Sequence, residues 1–89
     1  MDITLKLLKP LNDVVGQNEL SIKVENGTIE SLLAALSNDH PKLAEEIIDE
    51  KGDLDYRINV ILNDKPLSDL NVSLNDGDLV TLFIPISGG

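Results

Sequence analysis

The spacing of apolar residues along this chain changes from a period of two to a period near 3.6 and back, and that double change limits the folds open to it. In "ITLKLL", Ile3, Leu5 and Leu7 share one face while Thr4, Lys6 and Leu8 share the other, the pattern of a half-buried strand. "ELSIKVE" repeats it with Leu20, Ile22 and Val24 inward. The two strands read as an antiparallel hairpin joined by a longish loop, "KPLNDVVGQN". In "NGTIESLLAALSN" the period shifts: Ile29, Leu32, Leu33 and Leu36 fall on one helical stripe. Thr28 is placed to cap that helix, and Glu30 sits in its first turn, where the helix dipole favours an acid.

A second, shorter helix is expected in "HPKLAEEIIDEKG", with Pro41 in its first turn, Leu43, Ile47 and Ile48 on its apolar side and Gly52 at its stop. From Tyr56 the period returns to two. In "YRINVILND" the spacing places Tyr56, Ile58, Val60 and Leu62 inward, and Arg57, Asn59 and Ile61 outward. "NDKPL" reads as a tight turn into a short edge segment. A second turn at Asp76 and Gly77 leads to a last strand, where Val80 and Leu82 alternate with Thr81 and Phe83. The resulting order is strand, strand, helix, short helix, strand, short strand, strand. It predicts an α+β roll: a mixed sheet of four to five strands with one main and one short helix packed on one face. The first and last strands are the most apolar, so they are expected side by side in the centre.

At 89 residues the chain is expected to be a single domain, 1–89. Its one Phe, one Tyr and absent Trp leave a small core of Leu, Ile and Val. Sixteen acids against seven Lys and Arg give a formal charge of −9. Such a chain repels phosphate backbones and anionic lipid, so neither nucleic acid nor membrane is an expected partner. A basic protein is favoured instead. Without cysteine there is no disulfide, thiol nucleophile or thiolate metal site. "MDITLKLLKP" is too short and interrupted for a signal peptide, and no window is long enough to span a bilayer, so a cytoplasmic location is expected.

Side-chain chemistry is thin. His40, the only histidine, precedes Pro41 and reads as a surface cap or turn residue with no partner to make it a general base. Asp49, Glu50, Asp53 and Asp55 in "IIDEKGDLD" resemble a calcium loop only superficially, since Lys51 stands where a ligand belongs and the closing Glu is missing. No glycine loop suited to cradling phosphate is present. What remains is the ending, "LFIPISGG". Glycine costs the most backbone entropy to order, so it is used where a Cβ cannot be tolerated. A flexible tail over about 86–89, ending in Gly88 and Gly89, suits a carboxylate that must enter another enzyme's narrow active site.

Read together, "VVGQNELSIKVENGTIESLLAAL" and "RINVILNDKPLSDLNVSLNDGDLVTLFIPISGG" resemble the MoaD/ThiS family of ubiquitin-like sulfur carriers, most of all its MoaD branch, the small subunit of molybdopterin synthase. The resemblance covers nearly the whole chain. It is carried most specifically by the turn at Asn63 and Asp64, the run Asp76, Gly77, Asp78, and Pro85 shortly before the glycines. Where the family often has two adjacent aromatics and two prolines, this chain has Leu82, Phe83, Ile84 and Pro85.

The resemblance implies a β-grasp (ubiquitin-like) fold and a working terminus in place of a catalytic side chain. An adenylating enzyme of the ubiquitin-activating type would use ATP to activate Gly89, with Gly88 giving passage through its tunnel. The carrier itself would bind no cofactor. A sulfur donor protein would then convert the terminus to a thiocarboxylate, which gives its sulfur to a pterin precursor in the larger molybdopterin synthase subunit. Phe83 falls where MoaD-like proteins place a partner-contacting aromatic. Alternation independently puts it on the outward face with Ile61 and Thr81, and these three with Pro85 and Ile86 form the expected docking surface. Two rivals stand beside this role. One is a ubiquitin-like modifier joined to lysines through Gly89, and the other is a β-grasp interaction module with an inert tail.

Overall fold

A computed structural model describes residues 1–85. Among them the chain forms β1 (Asp2–Leu7), α1 (Leu11–Val15), β2 (Glu19–Lys23), α2 (Ile29–Asp39), α3 (Pro41–Ile47), β3 (Asn59–Leu62), β4 (Lys65–Leu67) and β5 (Leu79–Phe83). The five strands make one mixed sheet in the order β2-β1-β5-β3-β4. β1 pairs antiparallel with β2 and parallel with β5, and β3 pairs antiparallel with both β4 and β5. The two most apolar strands are therefore adjacent, with β5 in the middle, as their composition implies. This is the β-grasp arrangement.

Alternation sorts the strands as expected. Ile3, Leu5 and Leu7 of β1, Leu20 and Ile22 of β2, and Val80 and Leu82 of β5 all point into one cluster with Ile29, Leu32, Leu33 and Leu36 of α2 and Leu43 and Ile47 of α3. All the helices thus cover one face of the sheet. Thr28 caps α2 by accepting a hydrogen bond from the Ser31 N–H at 3.0 Å. Gly27 beside it is required by packing: a Cβ there would run into the Leu74 carbonyl, and the Leu74 N–H donates to Gly27 O at 2.7 Å.

The structure departs from the sequence-based expectation in four places. The loop after β1 contains a third helix, α1, which buries Leu11 and ends at Gly16 in the left-handed region (φ 73°). α3 stops at Ile47, with Ile48 extended beyond it, so Gly52 is not the helix stop. Gly52 instead supplies positive φ in the following turn, where its N–H donates to Asp49 O. Tyr56, expected inward, is 93% exposed. A hydrogen bond from the Ile58 N–H to Asp55 O turns the backbone there, so the pleat starts only at Asn59. Thr81, expected outward and open, is only 9% exposed.

Candidate functional site

β5 is the element that leads to the C-terminal residues, and its setting follows from its two neighbours. On the β1 side, Thr4, Leu5, Lys6 and Leu7 stand opposite Leu79, Val80, Thr81 and Leu82. The ladder runs one residue further, with the Leu8 N–H donating to Leu82 O at 3.2 Å. On the β3 side, Asn59, Val60, Ile61 and Leu62 stand opposite Phe83, Leu82, Thr81 and Val80. Leu79, Thr81 and Phe83 therefore share the sheet face turned away from the helices with Ile61 and Leu8.

Register explains how open each of these residues is. Thr81 lies between Lys6 and Ile61, one on each side. A short side chain between two longer neighbours is covered by them, so Thr81 forms the floor of the patch and offers little surface of its own. Phe83 has Asn59 opposite on one side and the end of β1 on the other, and it remains half-buried and outward. Ile61 is its diagonal cross-strand neighbour and is also half-buried. Leu8, 40% exposed, adds apolar surface, as does the half-buried Leu79 at the start of the strand. Leu79 is a member of the patch beyond those expected, although its place in the period of Thr81 and Phe83 already puts it on this face. Beyond the strand, Ile84 packs against the core and Pro85 is exposed. Ile86, Gly88 and Gly89, three of the expected site residues, lie outside the described residues.

Two of the motifs that carried the family resemblance, the Asn63 turn and the run Asp76 to Asp78, prove to be fixings for β5. Asn63 adopts φ 50°, a left-handed conformation that Asn tolerates better than most residues, at the turn between β3 and β4. Its side chain bridges that turn to the strand: Asn63 Nδ2 donates to Asp78 Oδ1 at 3.1 Å, and the Leu79 N–H donates to Asn63 Oδ1 at 2.9 Å. The Asn63 N–H donates to Leu79 O at 2.7 Å. Asp78 Oδ2 accepts from the Asn75 N–H, and Asp76 Oδ1 accepts from the Asp2 N–H at 2.6 Å. The Gly77 N–H, at φ 87°, donates to Asp2 O. The entry to the sheet's central strand is thus set by backbone geometry and short polar side chains. These residues position β5.

Asp49 and Asp55 are likewise engaged in local structure. Asp49 Oδ1 accepts from the Lys51 and Asp53 N–H groups, closing its own turn. Asp55 takes Arg57 Nε at 3.0 Å, and that bond holds the Asp55 carboxyl below its ordinary range. His40 links α2 to α3 through its backbone: its N–H donates to Leu36 O and its carbonyl accepts from the Ala44 N–H, while its side chain makes no capping bond. Among the described residues, no helix is long and apolar enough to cross a membrane.

Comparison with known proteins gives this geometry a context. The sequence pattern of the ThiS family matches residues 5–89. Over 93 aligned residues, covering all of both chains, the sequence is 30% identical to small archaeal modifier protein 3 of Haloferax volcanii. The fold is similar to the crystal structure of small archaeal modifier protein 1 from the same organism, with a TM-score of 0.86 and 31% identity across the whole of both chains. It is also similar to a chain in the complex of subunits 1 and 2 of the molybdopterin-converting factor from Helicobacter pylori, with a TM-score of 0.68 and 25% identity over both full lengths.

Proposed function

We propose that this chain, which belongs to the ThiS family of small ubiquitin-like proteins, works as a protein cosubstrate through the carboxylate of Gly89. One observation carries the proposal: the family match runs through Gly88 and Gly89, directly beyond a central strand whose neighbours fix it on both sides. A carboxylate is a poor acyl donor until it acquires a leaving group. In the site of an adenylating partner, the Gly89 carboxylate oxygen attacks the α-phosphorus of ATP and pyrophosphate departs. The resulting acyl-adenylate carries AMP as its leaving group. Two nucleophiles can displace AMP. A lysine amine gives an isopeptide bond, and hydrosulfide-level sulfur from a donor protein gives a thiocarboxylate.

Lysine modification takes first place because the full-length relatives at 30% and 31% identity are modifier proteins. Sulfur delivery to a pterin precursor in a larger molybdopterin synthase subunit comes second, supported by the likeness to the molybdopterin-converting factor chain. In either role the apolar patch around Phe83 and Ile61 sets the body against the partner while the residues after Pro85 reach the reacting centre.

Intact mass of the protein purified from its own cells distinguishes the fates. Digested conjugates with lysines branched to Gly89 establish modification, and an oxygen-to-sulfur exchange at the terminus establishes the carrier. The shared activation step is tested by deleting Gly89. The core closes between Ile3 and Leu82, so the shortened chain is expected to fold, yet it should support no ATP–pyrophosphate exchange by its cognate adenylating enzyme. Exchange at the normal rate would overturn the terminal mechanism.

A further inference from the structure

β2 is the outermost strand on its side of the sheet, and its pairing with β1 fixes which of its backbone groups are used. The Val24 N–H donates to Met1 O at 2.9 Å, and the Met1 amino group donates to Val24 O at 3.1 Å. At the other end, the Leu7 N–H donates to Asn18 O at 2.8 Å. Reciprocal pairs of this kind recur at every second residue of an antiparallel ladder, so Leu20 and Ile22 direct their backbone groups to β1. Glu19, Ser21 and Lys23, opposite Lys6, Thr4 and Asp2, direct theirs away from the sheet, where no described strand meets them. α2 runs alongside this open edge. Between them lies a groove of about 370 Å³, lined by Lys23 and Glu25 on the strand side and by Ser31, Ala34, Ala35 and Asn38 on the helix.

We propose that this edge and groove bind an extended segment of a basic protein partner, which adds to β2 as a sixth strand. An extended backbone supplies donors and acceptors at the spacing that Glu19, Ser21 and Lys23 present. Ser31, Ala34 and Ala35 are small, so alternate side chains of the incoming strand have room against the helix. Around the groove Glu25 and Asp39 outnumber Lys23, within a chain of net charge −9, and this selects a basic occupant over a second copy of the same acidic protein. The site is independent of the C-terminal chemistry. It lies at the edge of the sheet, two strands from β5, so a partner held there leaves the Phe83 face free.

The test uses the full-length protein, isotopically labelled for nuclear magnetic resonance, titrated with a peptide alternating lysine and valine. Shifts should concentrate in residues 19–25 and 31–39, and the amides of Glu19, Ser21 and Lys23 should exchange more slowly with solvent. A peptide alternating glutamate and valine should bind about tenfold more weakly or less. N-methylation of the lysine-valine peptide at its ladder-facing amides should abolish binding. Ser21→Pro removes one outward N–H without touching the β1 ladder and should abolish strand addition. Ala34→Arg, at an exposed helix position, should do the same by filling the groove, and it serves where Ser21→Pro disturbs the fold. No shift, shifts confined to the Phe83 face, or equal binding of the acidic or N-methylated peptide would overturn the proposal. So would concentration-dependent self-association through β2, which would assign the edge to a second copy.

Discussion

Phe83 and Thr81 sit two residues apart on the same face of β5, and their lateral neighbours separate their roles. Thr81 is covered by Lys6 and Ile61, whereas Phe83 stays half-open and takes no part in the buried core. Phe83→Ala should therefore weaken binding to the adenylating partner by about 1–3 kcal/mol, the range for an anchor at the centre of an interface. Its melting temperature should barely move. Measuring both on one sample decides the matter, since a loss of several degrees would mean that Phe83 supports the fold and that docking lies elsewhere. The outward side of Phe83 was legible in the sequence because alternation along a strand is a local property. The covering of Thr81 was not, because it depends on which residues of two distant strands stand beside it. Tyr56 points outward for a related reason: a turn made at Asp55 and Ile58 ends the pleat, so alternation does not run back through it.

At the scale of elements, the β3–β4 turn and the entry to β5 act as one unit, joined through Asn63. Its conformation at φ 50° and its side-chain bonds to Asp78 and Leu79 are separable contributions. Asn63→Ala loses both and should cost about 1–3 kcal/mol of unfolding free energy. Asn63→Gly keeps the backbone at ease but loses the bonds, so denaturant unfolding should place it between Ala and the native protein. A glycine variant as stable as the native protein would show that the side-chain bridge contributes nothing. The longer elements were readable from their periods, as β1, β2, α2 and β5 attest. α1 escaped because five residues, "LNDVV", span less than one and a half turns, too few for a helical stripe to repeat, while Pro10 and Gly16 resemble loop punctuation. Gly52 resembles the stop signal of α3, but the chain already straightens at Ile48.

For the whole molecule, a charge of −9 on 89 residues favours long-range attraction to a basic partner. The association rate with the cognate adenylating enzyme should fall steeply as salt is raised, while dissociation changes much less. Stopped-flow mixing across a salt series measures both, and an association rate indifferent to salt would show that charge plays no part in the encounter. The order of the strands along the chain and the fold class followed from periodicity, because it is written in consecutive residues. The open edge of β2 and its groove with α2 were invisible, since they arise only when the sheet order is known. That same order has a mechanical consequence. β5 is gripped on both sides, by β1 running parallel and β3 running antiparallel. A tensile load drawn through the C-terminal end pulls along β5, so the hydrogen bonds of both ladders bear it together in shear. They cannot be peeled apart one at a time. An unfolding motor dragging on a cargo attached there would meet its stiffest resistance at the first strand it tries to extract.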